Sequence, residues 1–196
     1  MLLSSDYSHI VSTSQKTHMP RLVSMLFLIF ACSISAKASA SDAGSQPYLS
    51  GTAQNVKRIV YGIVSYTRWP ALTTRPRMCF SRSTPYLDAL TSPNNAESMP
   101  YQPVILTEIN STTAAQCDGI YFGQESAQTQ QTVIQQLPAG ARLFISENNP
   151  QCVTGSAFCL AITSDSVKFS VNLDSLTRSG VHVSPDVLLL ARKTEK

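Results

Sequence analysis

The sequence predicts an α/β fold: a single three-layer domain in which helices flank a mixed, mostly parallel sheet. Three observations carry the prediction. Short apolar segments alternate with amphipathic helical stretches, as they do where strands are joined by helical crossovers. Several segments are apolar on successive residues, as in Val104-Ile105-Leu106, Ile120-Tyr121-Phe122 and Leu143-Phe144-Ile145, which is how strands covered on both faces read. One pair of segments is instead joined by only Ser164-Asp165-Ser166, a short polar turn that makes an antiparallel hairpin and hence a mixed sheet.

Ahead of the domain, Met19-Pro20-Arg21 supplies a short basic start, Leu22 to Ile34 an apolar run, and Ala36-Lys37-Ala38-Ser39-Ala40 the small residues of a cleavage site. These features predict a secretory signal over about 19–40, cut after Ala40. Residues 1–18 are polar and unpatterned, an upstream extension of the reading frame or an unusually long n-region. A thirteen-residue apolar run is too short to cross a hydrocarbon core of about 30 Å, which takes about 20 residues of helix. A retained signal anchor is the alternative. Leu28-Ile29-Phe30-Ala31-Cys32 has the outline of a lipoprotein site, but bulky Phe30 stands where small residues are usual. Residues 41–52 form a small-residue leader, expected to be flexible, and 53–196 the α/β domain.

Within the domain, Ala53, Val56, Val60, Ile63, Val64 and Thr67 recur at three- and four-residue steps, with Gln54, Lys57, Arg58 and Ser65 on the other face. This predicts a helix that stops at Trp69-Pro70, because the residue before proline is pushed out of the helical region. Gly62, which costs a helix some stability, would permit close packing against the sheet. Strands are expected at Met78 to Ser81, Val104 to Thr107, Gly119 to Phe122, Leu143 to Ser146, Phe158 to Thr163 and Val167 to Val171. Helical stretches intervene at Pro85 to Leu90 and Ser126 to Leu137, the latter with an incomplete apolar stripe of Ala127, Val133, Ile134 and Leu137. Asn172 can cap a helix from Leu173 to Ser179 that Gly180 terminates, and Ser184 can cap another with Pro185 in its first turn.

Charge excludes some functions. The whole chain has 15 basic and 12 acidic residues; losing Lys16, Arg21, Lys37 and Asp6 with residues 1–40 leaves 12 and 11, a net charge of +1. Nucleic-acid binding usually needs a strongly basic face, so none is expected. Lys57, Arg58, Arg68, Arg75, Arg77 and Arg82 do fall in a stretch, Gly51 to Arg82, without an acidic residue. Such a stretch suits either a solvated face or an acidic or anionic surface.

Export leaves four of five cysteines, Cys79, Cys117, Cys152 and Cys159, an even number that fits an oxidising compartment. Four cysteines allow three pairings. Gly155-Ser156 would let the chain reverse between Cys152 and Cys159, and Cys79 and Cys117 lie at or just before strands that can be neighbours. The expected bridges are therefore Cys79–Cys117 and Cys152–Cys159. A redox enzyme would want a low-pKa thiol in a Cys-x-x-Cys, and a zinc site paired knuckles; neither spacing occurs, and His182 is the only histidine after Ala40. His182 lies in the alternating Val181-His182-Val183 and reads as an exposed structural residue. Glycine-rich phosphate loops and calcium loops do not occur in the sequence. Trp69 is expected in the core. No catalytic residue, metal or cofactor is expected, and the chain reads as one built to bind.

Three blocks occurring in order resemble the YfiR family. They are the helix from Asn55 to Pro70, the turn Gly155-Ser156-Ala157-Phe158-Cys159-Leu160, and Val167 to Val181 followed by Ser184 to Arg192. The likeness runs from about Ala53 to Arg192 and includes all four cysteines. It implies a small periplasmic α/β domain, often a homodimer and not itself membrane-spanning. Such a domain holds a YfiN-like inner-membrane diguanylate cyclase inactive through its periplasmic sensory domain, until a YfiB-like outer-membrane lipoprotein sequesters it; release raises cyclic di-GMP and promotes surface attachment. The partner surface is expected around the Cys152–Cys159 loop and the Phe169 to Arg178 corner, with Phe158 as aromatic anchor and Ser170, Leu176 and Arg178 beside it. A periplasmic small-ligand receptor and a thiol redox sensor are the other function classes that fit.

Overall fold

The computed structural model describes residues 50–93 and 99–192, with side chains as far as Leu190. The export signal, Cys32 and most of the 41–52 leader lie outside the described residues, as does part of the Pro93 to Pro100 loop. Helix α1 (Gly51–Ser65) opens where the Ser50 hydroxyl accepts from the Ala53 N–H at 3.2 Å, so Gly51 and Thr52 belong to the helix and not to a leader. It also ends earlier than Trp69. Thr67–Arg68 forms a short strand, β1, antiparallel to His182–Val183, and the Ser184 N–H donates to the Tyr66 carbonyl. Backbone partners from the C-terminal segment therefore end the helix before Pro70 can act.

The chain continues as β2 (Arg77–Ser81), α2 (Leu87–Thr91), β3 (Gln102–Leu106), β4 (Gly119–Phe122), α3 (Ala127–Gln136), β5 (Leu143–Ser146), β6 (Phe158–Ile162), β7 (Val167–Val171), α4 (Leu173–Arg178), β8 (His182–Val183), a 3₁₀ turn (Pro185–Leu188) and α5 (Leu189–Arg192). The main sheet runs β3-β2-β4-β5-β6-β7, parallel throughout except for β7, which forms the expected hairpin with β6. The sheet is mixed and mostly parallel, flanked by helices and not closed into a barrel. Its topological switch point lies between β2 and β4, from which the chain leaves toward opposite edges.

Alternation along the strands builds two cores. Met78, Phe80, Tyr121, Leu143, Ile145, Phe158 and Leu160 meet the apolar stripe of α1, Val56, Ile59, Val60 and Ile63. Cys79, Ile120, Phe122 and Phe144 turn to the other face and meet Val133 of α3. Thus β4 and β5 are buried at every residue. Strand β3 is not: its Val104-Ile105-Leu106 run lies at the sheet edge, and Ile105 is 44% exposed. Hydrophobicity alone could not separate an interior strand from an edge strand.

Three further placements correct the expectations. Lys57 is buried, its stem lying in the protein while Nζ donates to the Ser92 carbonyl and sits 5.1 Å from the centre of the Tyr61 ring. Gly62 makes room for Leu190 of α5 and not for the sheet: a Cβ there would come within 2.5 Å of a Leu190 methyl. Trp69 is only partly buried, with its indole N–H donating to the Asp118 carbonyl at 2.8 Å. His182 is exposed on β8.

Candidate functional site

Two bridges staple the domain, Cys79–Cys117 and Cys152–Cys159. The first ties β2 to the segment entering β4, its neighbour in the sheet, within the α3-side core. The second closes a loop between β5 and β6. Cys152 (φ 50°) and Gly155 (φ 78°) both take the left-handed conformation that lets so short a loop reverse. The Cys152 sulfur lies 3.7 Å from the Ser170 carbonyl, so the loop sits beside β7.

What holds this loop to the domain is polar. Gln130, fully buried on α3, accepts from the Ser156 hydroxyl at 3.0 Å and from the Asn149 amide at 3.1 Å, and donates to the Glu125 and Asn148 carbonyls. Its neighbour Gln131 accepts from the Gly155 N–H and the Thr154 hydroxyl, both at 3.0 Å. Asn149 also donates to the Thr154 carbonyl at 2.7 Å. Every oxygen and nitrogen of the Gln130 amide is thereby used, as burial demands. Sequence reasoning missed Gln130 and Gln131. Their signal was the gap in the α3 stripe, where Ala127 and Val133 lead one to expect an apolar residue and a glutamine stands instead.

The expected partner residues divide. Phe158 is fully buried in the α1-side core, with its ring 5.9 Å from that of Phe169. It supports the surface from beneath and offers no ring to a partner, because β6 is an interior strand whose residue 158 faces α1. Ser170 is exposed on the opposite face of β7, and Leu176 is half-buried against the core. Arg178 is exposed and paired with Asp174 one turn earlier on α4. Asn172 caps that helix by accepting from the Ser175 N–H, and donates its own backbone N–H to the Ala157 carbonyl, which fixes the start of α4 against the end of the disulfide loop. Val153 in the loop and Leu173 on α4 are 73% and 71% exposed. A groove of about 430 Å³ runs between α3 and α4, lined by Gln131, Ile134, Phe144, Gly155, Ser175 and Arg178 among others.

A second polar cluster occupies the switch point. Glu147, the first residue after β5, accepts from the Tyr121 hydroxyl at 2.7 Å, the Thr84 hydroxyl at 2.8 Å and the Gln124 amide at 2.8 Å. Glu125 accepts from the Ser81 and Ser83 hydroxyls. Gly123 permits this close approach of loops, since a Cβ there would lie 2.6 Å from the Thr84 nitrogen. Burial holds the Glu147 carboxyl above the ordinary carboxylate range; its three hydrogen bonds offset part of the shift, and the Glu125 charge adds to it. Burial likewise pushes the Tyr121 hydroxyl well up, with the Glu147 charge adding.

Neither cluster brings together a nucleophile, base and orienting acid. Among the described residues no group of three or more His, Cys, Asp or Glu side chains is placed to hold a metal ion, and no helix is long and apolar enough to cross a membrane. A family model described as YfiR/HmsC-like matches residues 53–192, from the first turn of α1 to the end of α5. That match spans both cores, both bridges and the β7–α4 corner, and the chain belongs to the YfiR/HmsC-like family.

Proposed function

We propose that the protein is a periplasmic inhibitor that binds the periplasmic sensory domain of a YfiN-like inner-membrane diguanylate cyclase and represses cyclic di-GMP synthesis. The family is one of regulators of the YfiBNR type, and that membership, over residues 53–192, is the observation that carries the reading. The geometry supports it. Two stapled, buried bridges suit an oxidising compartment. The β7–α4 corner offers exposed Ser170, Arg178 and apolar Leu173 with half-buried Leu176, and the disulfide loop beside it adds apolar Val153, a composition suited to capturing a protein surface. Phe158 enters only as the support under Phe169. Release passes to a YfiB-like outer-membrane lipoprotein, and reduction of a bridge is a second route to release; the inhibitor works as a homodimer.

The test is capture of the cyclase's purified periplasmic domain by the mature protein, with cyclic di-GMP measured in a deletion strain complemented by wild type or Arg178→Ala. Capture by the wild type, weakened by Arg178→Ala, with raised cyclic di-GMP in the deletion, is expected. No capture and unchanged cyclic di-GMP would sink the proposal. Repeating capture after mild reduction decides the redox route, since indifference to reduction leaves the bridges purely structural.

A further inference from the structure

We propose that Glu147 is a proton-operated latch on the β5–β6 loop, which holds the loop closed when protonated and loosens it when ionised. The inference concerns the loop itself and stands whatever partner the protein binds. The carboxylate occupies a junction. Its donors come from three separate segments, Thr84 ahead of α2, Tyr121 on β4, and Gln124 between β4 and α3, while Glu147 itself begins the loop that leads to Cys152. Its backbone N–H makes the last bond to β4, to the Phe122 carbonyl. Directly beyond it, Asn148 donates to the Gln124 carbonyl and Asn149 to Gln130. A change at Glu147 therefore acts on the first residue of a segment otherwise pinned by side-chain amides.

Among the described residues, the junction holds no compensating cation. The titratable groups facing Glu147 are Tyr121 on β4, Tyr86 ahead of α2, and Glu125 ahead of α3; none is positive, and Glu125 is a second carboxylate whose Oε2 is buried without a hydrogen-bond partner. Among the described residues no lysine or arginine forms an ion pair with Glu147. An ionised carboxylate in such a place is stabilised by its three donors alone. When it takes a proton, the Thr84 or Tyr121 hydroxyl can turn and accept from it, because a hydroxyl both donates and accepts. The junction thus stays satisfied in the neutral form without the cost of a partly buried charge.

The direction follows from linkage. With the loop open, Glu147 is fully hydrated and titrates as an ordinary carboxylate; with it closed, the side chain is only partly exposed and this partial burial raises the titration. The closed loop therefore binds the proton more tightly. Between the two titrations, raising the pH favours opening by up to about tenfold per pH unit, and acidification favours closure.

Hydrogen exchange of the mature protein tests this, reading backbone amides of the loop, 148–157, from pH 4 to 8 after correction for intrinsic exchange. In the wild type, protection should be greatest at the acid end and be lost as the pH rises above the ordinary carboxylate value. Glu147→Gln should be flat across the range, with neutral-pH protection at or above wild type. Tyr121→Phe, which removes a donor favouring the ionised form, should move the loss to higher pH. Amides of β4 report global opening and separate it from loop opening. A flat wild-type profile overturns the proposal, as does an unchanged slope in Glu147→Gln or a downward move in Tyr121→Phe.

Discussion

The two bridges close loops of very different length, and their removal should differ in a calculable way. Cys79 and Cys117 are 38 residues apart, Cys152 and Cys159 only 7. In the chain-entropy model, cross-linking restricts the unfolded ensemble by about 3.9 kcal/mol for the first loop and about 2.4 kcal/mol for the second. The difference of about 1.5 kcal/mol is roughly tenfold in the folding equilibrium. Packing acts in the same sense, since Cys79 and Cys117 sit inside the α3-side core with 0% and 2% exposure, and alanines there also remove buried sulfur. The assay is urea unfolding of Cys79→Ala/Cys117→Ala and Cys152→Ala/Cys159→Ala beside the wild type. With a slope near 2 kcal/mol per molar, the two midpoints should lie about 0.8 M apart, the first double variant being the weaker. Equal midpoints, or a lower one for the short bridge, would refute the view that the long bridge is the main staple and the short one a local shape constraint.

Four other outcomes are expected. Gly123→Ala places a Cβ 2.6 Å from the backbone nitrogen of Thr84, which cannot move aside as a side chain would, and should cost about 1–3 kcal/mol in chemical denaturation. Gln130→Leu strands the buried Ser156 hydroxyl and one Asn149 amide hydrogen; about 1–3 kcal/mol per stranded group is expected in the same assay, with hydrogen exchange rising first in the β5–β6 loop. Phe158→Ala empties a fully buried site and should cost about 3–5 kcal/mol. Arg178→Ala, by contrast, loses an exposed pair with Asp174 and should leave thermal unfolding within about 0.5 kcal/mol of wild type. Lost partner capture therefore reports on the surface for Arg178 and on folding for Phe158.

The fold was legible because its signals are local and repeated. Strand after strand announces itself as an apolar run, Asn172 and Ser184 stand where capping needs them, and Ser164-Asp165-Ser166 marks the hairpin. What was not legible depends on partners distant in sequence. The early end of α1 is imposed by His182–Val183, about 115 residues on, and the exposure of Ile105 by β3 having no neighbour on one side. The expectation for Phe158 failed for a related reason. An aromatic beside a loop looks like an anchor, but the parity of a strand decides which face it takes, and parity is set by pairing with β5 and β7.

That same parity explains how a buried residue and an exposed one can serve one surface. Phe158 and Cys159 are adjacent in β6 and point to opposite sides of the sheet, the ring into the α1 core and the sulfur toward α3 and the loop. Phe169 and Ser170 repeat the arrangement on β7, with Ser170 paired to Cys159 and Phe169 against Phe158. The exposed face of the hairpin is therefore fixed in place by its apolar underside, while the loop at its edge is fixed by the amides of Gln130, Gln131 and Asn149. Apolar packing tolerates substitution of similar volume, whereas a buried amide network with every group satisfied admits one geometry. The division predicts that substitutions under the hairpin change how stable this corner is, and substitutions in the amide network change its shape, which a partner would feel even where the domain remains folded.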